Sequence, residues 1–337
     1  MKHLSILVVT GLLSLLALYG CSERSESKKE ITAADSLEIK LKGINTQIKA
    51  DPNNPDLYIE RCKLLASFGA YQRSFYDAAR AVKLDSTKAS YWLEYGKAAF
   101  SAENYYRSEE GYLTCLRLDK KNTDCLIKLA EFYLLKKKYQ MAIDCSNKAL
   151  EVNQELPRPY FIKGWVYKEA KDTVKAVTSF QTAVEMDPNF YDAFIQLGVL
   201  TSGAKKDVAL DYFNSAIAAQ PKSIEAHYFK GMYFQERGRV EEALATYMQI
   251  LAIDSTYPFA HYNIGFIKLT AENKPDSAIL YFAKAIKANP RYFEAYYNRG
   301  YCYELLGNKS LASNDYKLAL SINSQFDLAA AGLDRVQ

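Results

Sequence analysis

Residues 157–190 read PRPYFIKGWVYKEAKDTVKAVTSFQTAVEMDPNF, and residues 191–223 read YDAFIQLGVLTSGAKKDVALDYFNSAIAAQPKS. Set one beneath the other, they align Tyr160 with Phe194, Gly164 with Gly198, Ala176 with Ala209 and Ala183 with Ala216. The glycine column continues through Gly231, Gly265 and Gly300, and the same register runs back through Ala130, Gly96 and Cys62. A second small column holds Ser74, Ser108, Ala142, Ala176, Ala209, Ala243, Ala278 and Ala312. A third holds Ala81, Cys115, Ala149, Ala183, Ala216, Ile250, Ala285 and Ala319. Four residues before the first column stand Tyr58, Trp92, Leu126, Tyr160, Phe194, His227, His261 and Tyr296. Self-similarity at a fixed period of about 34 residues is the signature of stacked supersecondary units. Within each unit two stretches carry apolar residues three and four apart, for example Tyr160, Trp165 and Tyr167, then Ala176, Phe180 and Ala183. That spacing predicts two helices per unit, and the small columns mark where they approach closely.

These columns resemble the tetratricopeptide repeat, a helix–turn–helix unit. The resemblance implies an all-α fold, a right-handed α-solenoid of about eight helix–turn–helix units with capping helices. The expected units are 55–88, 89–122, 123–156, 157–190, 191–223, 224–257, 258–292 and 293–326, so the array fills residues 55–326. The fifth is one residue short and the seventh one long, and both changes are expected in the loop between paired helices. Turns such as Asp187-Pro188-Asn189, Gln220-Pro221-Lys222 and Asn289-Pro290-Arg291 close the units, because proline stops a helix. An array needs capped ends. Residues 35–54 are expected to form an N-terminal capping half-repeat, with Leu37, Ile39, Leu41 and Ile44, and residues 327–337 a C-terminal capping helix.

The first residues read as an address. Lys2 and His3 precede an apolar run from Leu4 to Tyr19, about 16 residues against the roughly 20 a transmembrane helix needs. Residues 1–20 therefore read as a secretory signal peptide. Leu18-Tyr19-Gly20-Cys21 resembles a bacterial lipobox, with Tyr19 bulkier than the motif's usual residue, which implies lipid attachment at Cys21. Acyl chains anchor without spanning, and the polar, charged residues 21–34 suit a flexible tether. Ser22 after the cysteine implies, by the same resemblance, an outer-membrane lipoprotein of the cell envelope, with its body facing the periplasm or the surface.

Composition excludes several function classes. In 337 residues, 43 Lys and Arg face 39 Asp and Glu, a net charge of only +4, which gives no basic footprint for nucleic acid. Three His and six Cys leave little metal chemistry. No CxxC or Cys–His spacing occurs, and no phosphate-binding or nucleophile-elbow motif. His227 and His261 share one column that is aromatic elsewhere, so they read as packing residues, and no metal or cofactor is expected. Cys62, Cys115, Cys125, Cys145 and Cys302 read as buried free thiols, with a Cys115–Cys125 bridge across one turn as the alternative. Enzymatic function is not expected.

In tetratricopeptide arrays the first helices line a concave groove, mainly through their fifth, ninth and twelfth residues. The resemblance places Phe161, Trp165, Tyr228, Met232, Tyr262, Phe266, Tyr297 and Tyr301 along that groove. Aromatic residues and Met are enriched at binding surfaces. The family's clamp for C-terminal carboxylates uses Lys at the fifth and Asn at the ninth position, and no unit here has that pair. The expected function is a membrane-anchored scaffold for a protein or extended peptide. An envelope glycan or peptidoglycan binder and an assembly factor for outer-membrane or secretion machinery stand as alternatives. Both an open groove and one whose rings pack on each other fit the pattern, and the oligomeric state is left open.

Overall fold

The computed structural model describes residues 33–203 and 207–337, all of whose regular structure is helical. The leader 1–20, Cys21 and the tether as far as residue 32 lie outside the described residues. Helix α1 (Ala33–Ala50) is followed by eight pairs: α2 (Pro55–Ser67) with α3 (Tyr71–Leu84), α4 (Ala89–Ser101) with α5 (Tyr105–Leu118), α6 (Thr123–Leu135) with α7 (Tyr139–Val152), and α8 (Pro157–Glu169) with α9 (Thr173–Met186). Then come α10 (Tyr191–Thr201) with α11 (Val208–Ala219), α12 (Ile224–Glu236) with α13 (Val240–Ile253), α14 (Pro258–Thr270) with α15 (Pro275–Ala288), and α16 (Phe293–Leu305) with α17 (Lys309–Ile322). Helix α18 (Asp327–Val336) closes the array. Each helix packs chiefly on the one before and the one after it, which is the solenoid arrangement. Among the described residues no helix is long and apolar enough to cross a membrane.

The second and third small columns are fully buried in every unit. The glycine column has a partner that makes it intelligible. A Cβ on Gly164 would lie 2.6 Å from the Phe180 ring, and one on Gly198 2.4 Å from the Phe213 ring. Gly96, Gly231, Gly265 and Gly300 face Tyr112, Tyr247, Phe282 and Tyr316 in the same way. The two columns are complementary in size along the whole array. Where the first helix carries Cys62 or Ala130 instead of glycine, the register of the second helix holds Ala78 or Ser146 instead of a ring.

Turns follow from local chemistry. Between paired helices the chain passes through one left-handed residue: Gly69, Glu103, Lys137, Lys171, Gly238, Asn273 or Gly307. In six of these turns the amide that follows the left-handed residue reaches back five residues, as Lys138 N donates to the Tyr133 carbonyl at 2.8 Å, giving a Schellman closure. The seventh unit spends its extra residue in this turn, 271–274. Between units an Asp or Asn carboxyl or amide oxygen accepts from the amide two residues on, as in Asp85 to Thr87 N at 2.9 Å and Asp254 to Thr256 N at 2.8 Å. The large column clips the same turn. Tyr58 Oη, Trp92 Nε1, His227 Nε2 and His261 Nε2 each meet the carbonyl six residues upstream, at 3.0, 2.9, 3.1 and 2.9 Å. The two histidines are therefore turn clips, each with its Nδ1 buried and unpartnered.

One expectation about the cysteines is corrected. Cys115 and Cys125 form a disulfide with Cα atoms 6.4 Å apart, tying α5 to α6 across the inter-unit turn. The small third column brings the Cys115 sulfur against the first turn of α6, where Asn122 caps the Cys125 amide at 3.1 Å. Cys62, Cys145 and Cys302 are free and buried. Burial pushes the first two thiols up to about 11 and the third to about 12, so they stay protonated and are weak nucleophiles.

The interlock predicts that Gly198→Ala destabilises the chain by about 1–3 kcal/mol through overpacking. Combining it with Phe213→Leu is expected to cost less than the sum of the two single variants, measured by denaturant unfolding. Additive losses would show that the two residues do not compete for one space. Replacing both Cys115 and Cys125 with Ala is expected to lower stability by about 2–3 kcal/mol for so short a closed loop, read from the same unfolding curves under non-reducing conditions.

Candidate functional site

The rings at the fifth position of their helices are built into the interlock. Phe161 packs on Phe180 at 5.5 Å between centroids, Tyr228 on Tyr247 at 6.3 Å, Tyr262 on Phe282 at 5.7 Å and Tyr297 on Tyr316 at 5.7 Å. Each therefore covers the ring that faces the glycine. On its other side lies the last residue before the next unit's first helix. Phe161 meets Phe190 at 4.9 Å, Tyr228 meets Tyr257 at 6.3 Å, Tyr262 meets Tyr292 at 4.8 Å and Tyr297 meets Phe326 at 5.3 Å. The result is a three-ring stack that begins at a glycine and ends on the following unit. Units with an aliphatic fifth residue (Ile59, Leu93, Ile127, Ile195) have Lys88, Asn122, Leu156 or Ser223 at that second place.

These rings are therefore partly core. Phe161 is buried, whereas Tyr228, Tyr262 and Tyr297 keep an accessible edge. The desolvation raises the Tyr262 and Tyr257 hydroxyls to about 12. Phe190, Tyr257, Tyr292 and Phe326, which complete the stacks, were not singled out from sequence. Their signal is present there: an aromatic residue 29 or 30 positions after each aromatic fifth residue.

The ninth-position residues lie outside the stacks and are half-buried. Trp165 has the Lys168 ammonium 4.3 Å from its ring. Phe266 lies nearly parallel to Tyr262 at 6.3 Å, and Tyr301 nearly parallel to Tyr297 at 6.5 Å. Phe266 lines a cavity of about 240 Å³ with Val240, Ile267, Gln235 and Glu236. Met232 lines one of about 160 Å³ with Val199, Phe213, Phe229 and Glu236. The structure thus joins Tyr228, Tyr262 and Phe266 into one ring ladder through Tyr257, Phe259 and Tyr292, with Phe259 and Tyr292 5.3 Å apart. Tyr297 and Tyr301 form a neighbouring stack, joined to the ladder by Asn298, whose amide donates to Tyr262 Oη at 2.9 Å. Phe161 and Trp165 form a separate group. Cys21 lies outside the described residues.

Charge divides the same surface. On α4 to α8, Glu94 accepts from Lys97 at 3.0 Å, and Glu131 from Lys128 at 2.8 Å and Arg158 at 2.6 Å. On α12 to α16 the carboxylates differ. Glu304 is held by Arg335 at 2.7 Å and kept below the usual carboxylate range by it. Glu236, exposed between the two cavities, and half-buried Glu294 have no cationic partner among the described residues. Burial raises the Glu294 carboxyl above its ordinary value.

Residues 123–156, 157–190, 203–258 and 281–312 match profiles of the tetratricopeptide repeat. The chain carries tetratricopeptide repeats. It is 23% identical over 295 residues to the human DnaJ homolog subfamily C member 7, covering 79% of this chain and 60% of that protein. It therefore spans about three fifths of that relative's length. Among solved structures it is similar to the APC/C hetero-tetramer Cut9–Hcn1, with a TM-score of 0.54, 17% identity and coverage of 80% of this chain and 54% of that one. A tetratricopeptide repeat protein from Parabacteroides merdae superposes with a TM-score of 0.50 at 17% identity, covering 74% of this chain and 98% of that one. Both likenesses agree with the helix-pair solenoid.

Proposed function

We propose that this array of tetratricopeptide repeats is a binding scaffold that takes an extended segment of a protein partner across α12, α14 and α16. The observation that carries the reading is the row of half-exposed ninth-position residues on three consecutive first helices, Met232, Phe266 and Tyr301, of which the first two each line an apolar cavity. Rigid rings already held by the stacks below them offer contact area at little ordering cost. The partner's side chains supply the remainder.

The scaffold is, in the same proposal, a lipoprotein of the bacterial envelope, anchored through Cys21 and held off the membrane by the tether. Two features support this reading. Cys21 stands where the apolar run ends. The Cys115–Cys125 bridge suits an oxidising compartment, because disulfides persist in the periplasm and at cell surfaces and are rare in reducing cytosol.

A photo-crosslinking residue in place of Tyr301, in the native envelope, is expected to capture a discrete protein partner. Phe266→Ser is expected to reduce that capture at least fivefold, whereas Tyr106→Ser, on an outward helix and 75% exposed, leaves it unchanged. Equal loss with Tyr106→Ser, or capture insensitive to Phe266→Ser, would overturn the groove. For the anchor, an alkyne fatty acid fed to cells is expected to label the wild type and not Cys21→Ser. The variant should also leave the membrane fraction, and retained label would place the lipid elsewhere.

A further inference from the structure

The array contains its own template for how a cation sits on these rings. In the fourth unit the Arg158 guanidinium lies 4.9 Å from the Phe161 centroid and is held by Glu131 at 2.6 Å and Asp192 at 4.0 Å. Lys168 covers Trp165 from the next turn, at 4.3 Å. Ring, cation and carboxylate come from the chain itself, so this stretch of the surface is satisfied internally.

Units six to eight repeat the rings and the carboxylate without the cation. Arg158 is the second residue of its helix, and the matching residues of α14 and α16 are Phe259 and Glu294. Glu294 lies two residues after Tyr292, and the Asn298 amide one turn on donates to both the Glu294 carbonyl at 3.1 Å and Tyr262 Oη at 2.9 Å, so the half-buried Glu294 sits beside these rings; it has no ion pair among the described residues. Among the described residues no Lys or Arg lies over the rings of Tyr228, Tyr257, Phe259, Tyr262 or Tyr292, although such contacts are common elsewhere in the chain. The cations of α14, α16 and α18 are engaged: Lys268 with Glu272 at 2.6 Å, Arg299 with Asp315 at 2.7 Å and Arg335 with Glu304 at 2.7 Å. Lys230 faces Phe234 on its own helix. A second carboxylate with no ion pair among the described residues, Glu236, borders both apolar cavities.

A half-buried carboxylate among rings is stabilised by a cation, and ring faces attract one. The first turn of α16 gives Glu294 a favourable place in the helix dipole, which accounts for an acid there but not for the ring cluster around it. We infer that the groove of units six to eight binds a basic segment of its partner, with one Lys or Arg seated against Glu294 on the Tyr262 and Tyr292 rings and a second near Glu236. Apolar side chains of the same segment fill the cavities lined by Met232 and Phe266. The two cavities, with Glu236 bordering both, therefore select apolar residues on either side of a basic one. This is the reverse charge preference from a carboxylate clamp. It rests on the groove reading above and assigns the chemistry of its ligand.

Fluorescence anisotropy with the purified full-length chain in detergent tests the assignment. The probes are labelled twelve-residue peptides with identical Leu and Ser positions and Arg, Gln or Glu at the remaining ones. The Arg peptide is expected to bind roughly 10-fold or more tightly than the Gln peptide, and the Glu peptide more weakly than either. Glu294→Gln should reduce Arg-peptide affinity roughly 5- to 30-fold, and Glu294→Arg, which supplies the cation as Arg158 does, should abolish the preference. Unchanged thermal unfolding of Glu294→Gln confirms that the loss is not misfolding. If the three peptides bind alike and only Phe266→Ser weakens them, the cation seat is wrong while the groove stands. If no peptide binds, or binding ignores both Glu294 and Phe266, the groove itself is overturned, and this inference with it.

Discussion

Two helices of a unit can approach only as closely as the atoms between them allow, and in this chain that limit is set by one pair of positions. Glycine on the first helix admits a ring from the second, as Gly164 admits Phe180 and Gly231 admits Tyr247. Cys62 and Ala130 admit only Ala78 and Ser146. A ring appears on the second helix only where the first helix carries glycine, which is what close packing without overlap requires. Everything above this pair inherits its geometry. The ring facing the glycine supports the fifth-position ring, and that ring supports the aromatic residue that opens the next unit. In units four, six, seven and eight the contact to the next unit therefore runs ring to ring, whereas units one, two, three and five lack that stack.

This explains which parts could be read from the chain. The glycine column was visible because glycine tolerates no substitute opposite a ring, so its identity repeats. The partner column was not, because Ala78, Tyr112, Ser146 and Phe180 share no residue type and make sense only as complements. The groove aromatics could be placed on the right helix positions, but their burial depends on residues 29 or 30 positions later. Phe161 is therefore core, while Tyr301 remains accessible. The disulfide escaped for a related reason. Sequence spacing puts Cys115 and Cys125 on either side of a turn, but only the packing of the third small column brings their Cα atoms to 6.4 Å.

The ends of the array are treated differently from its middle. In the first pair Arg61 holds Asp77 in a bidentate bridge at 2.6 and 2.7 Å, and in the last pair Arg299 holds Asp315 at 2.7 and 2.8 Å. Inner pairs carry no such bridge at the same register, where Leu129 meets Cys145 and Ile264 meets Tyr281. A terminal unit has an ordinary neighbour on one side only. Helices α1 and α18 cover the other side, with Leu41 and Ile44 buried against the first pair and Gly332 against Tyr316. A planar guanidinium fork fixes the angle between two helices more narrowly than apolar contact does. The terminal units thus gain by directional bonds the definition that inner units gain from neighbours on both sides.

A solenoid couples mainly nearest neighbours, so its surface can hold two chemical regimes without one disturbing the other. From α4 to α8 the concave carboxylates are neutralised by the chain's own Lys and Arg, and the rings of Phe161 and Trp165 are covered by Arg158 and Lys168. From α12 to α16 the rings are more numerous, and Glu236 and Glu294 lack cations among the described residues. Half-burial raises the Glu294 carboxyl, so leaving it beside rings without a cation carries a cost. An internal cation of the Arg158 kind would remove that cost and cover the rings, as Arg158 covers Phe161. That cost is retained at Glu294 in the eighth unit, whereas the fourth unit removes it by seating Arg158 between Phe161 and Glu131.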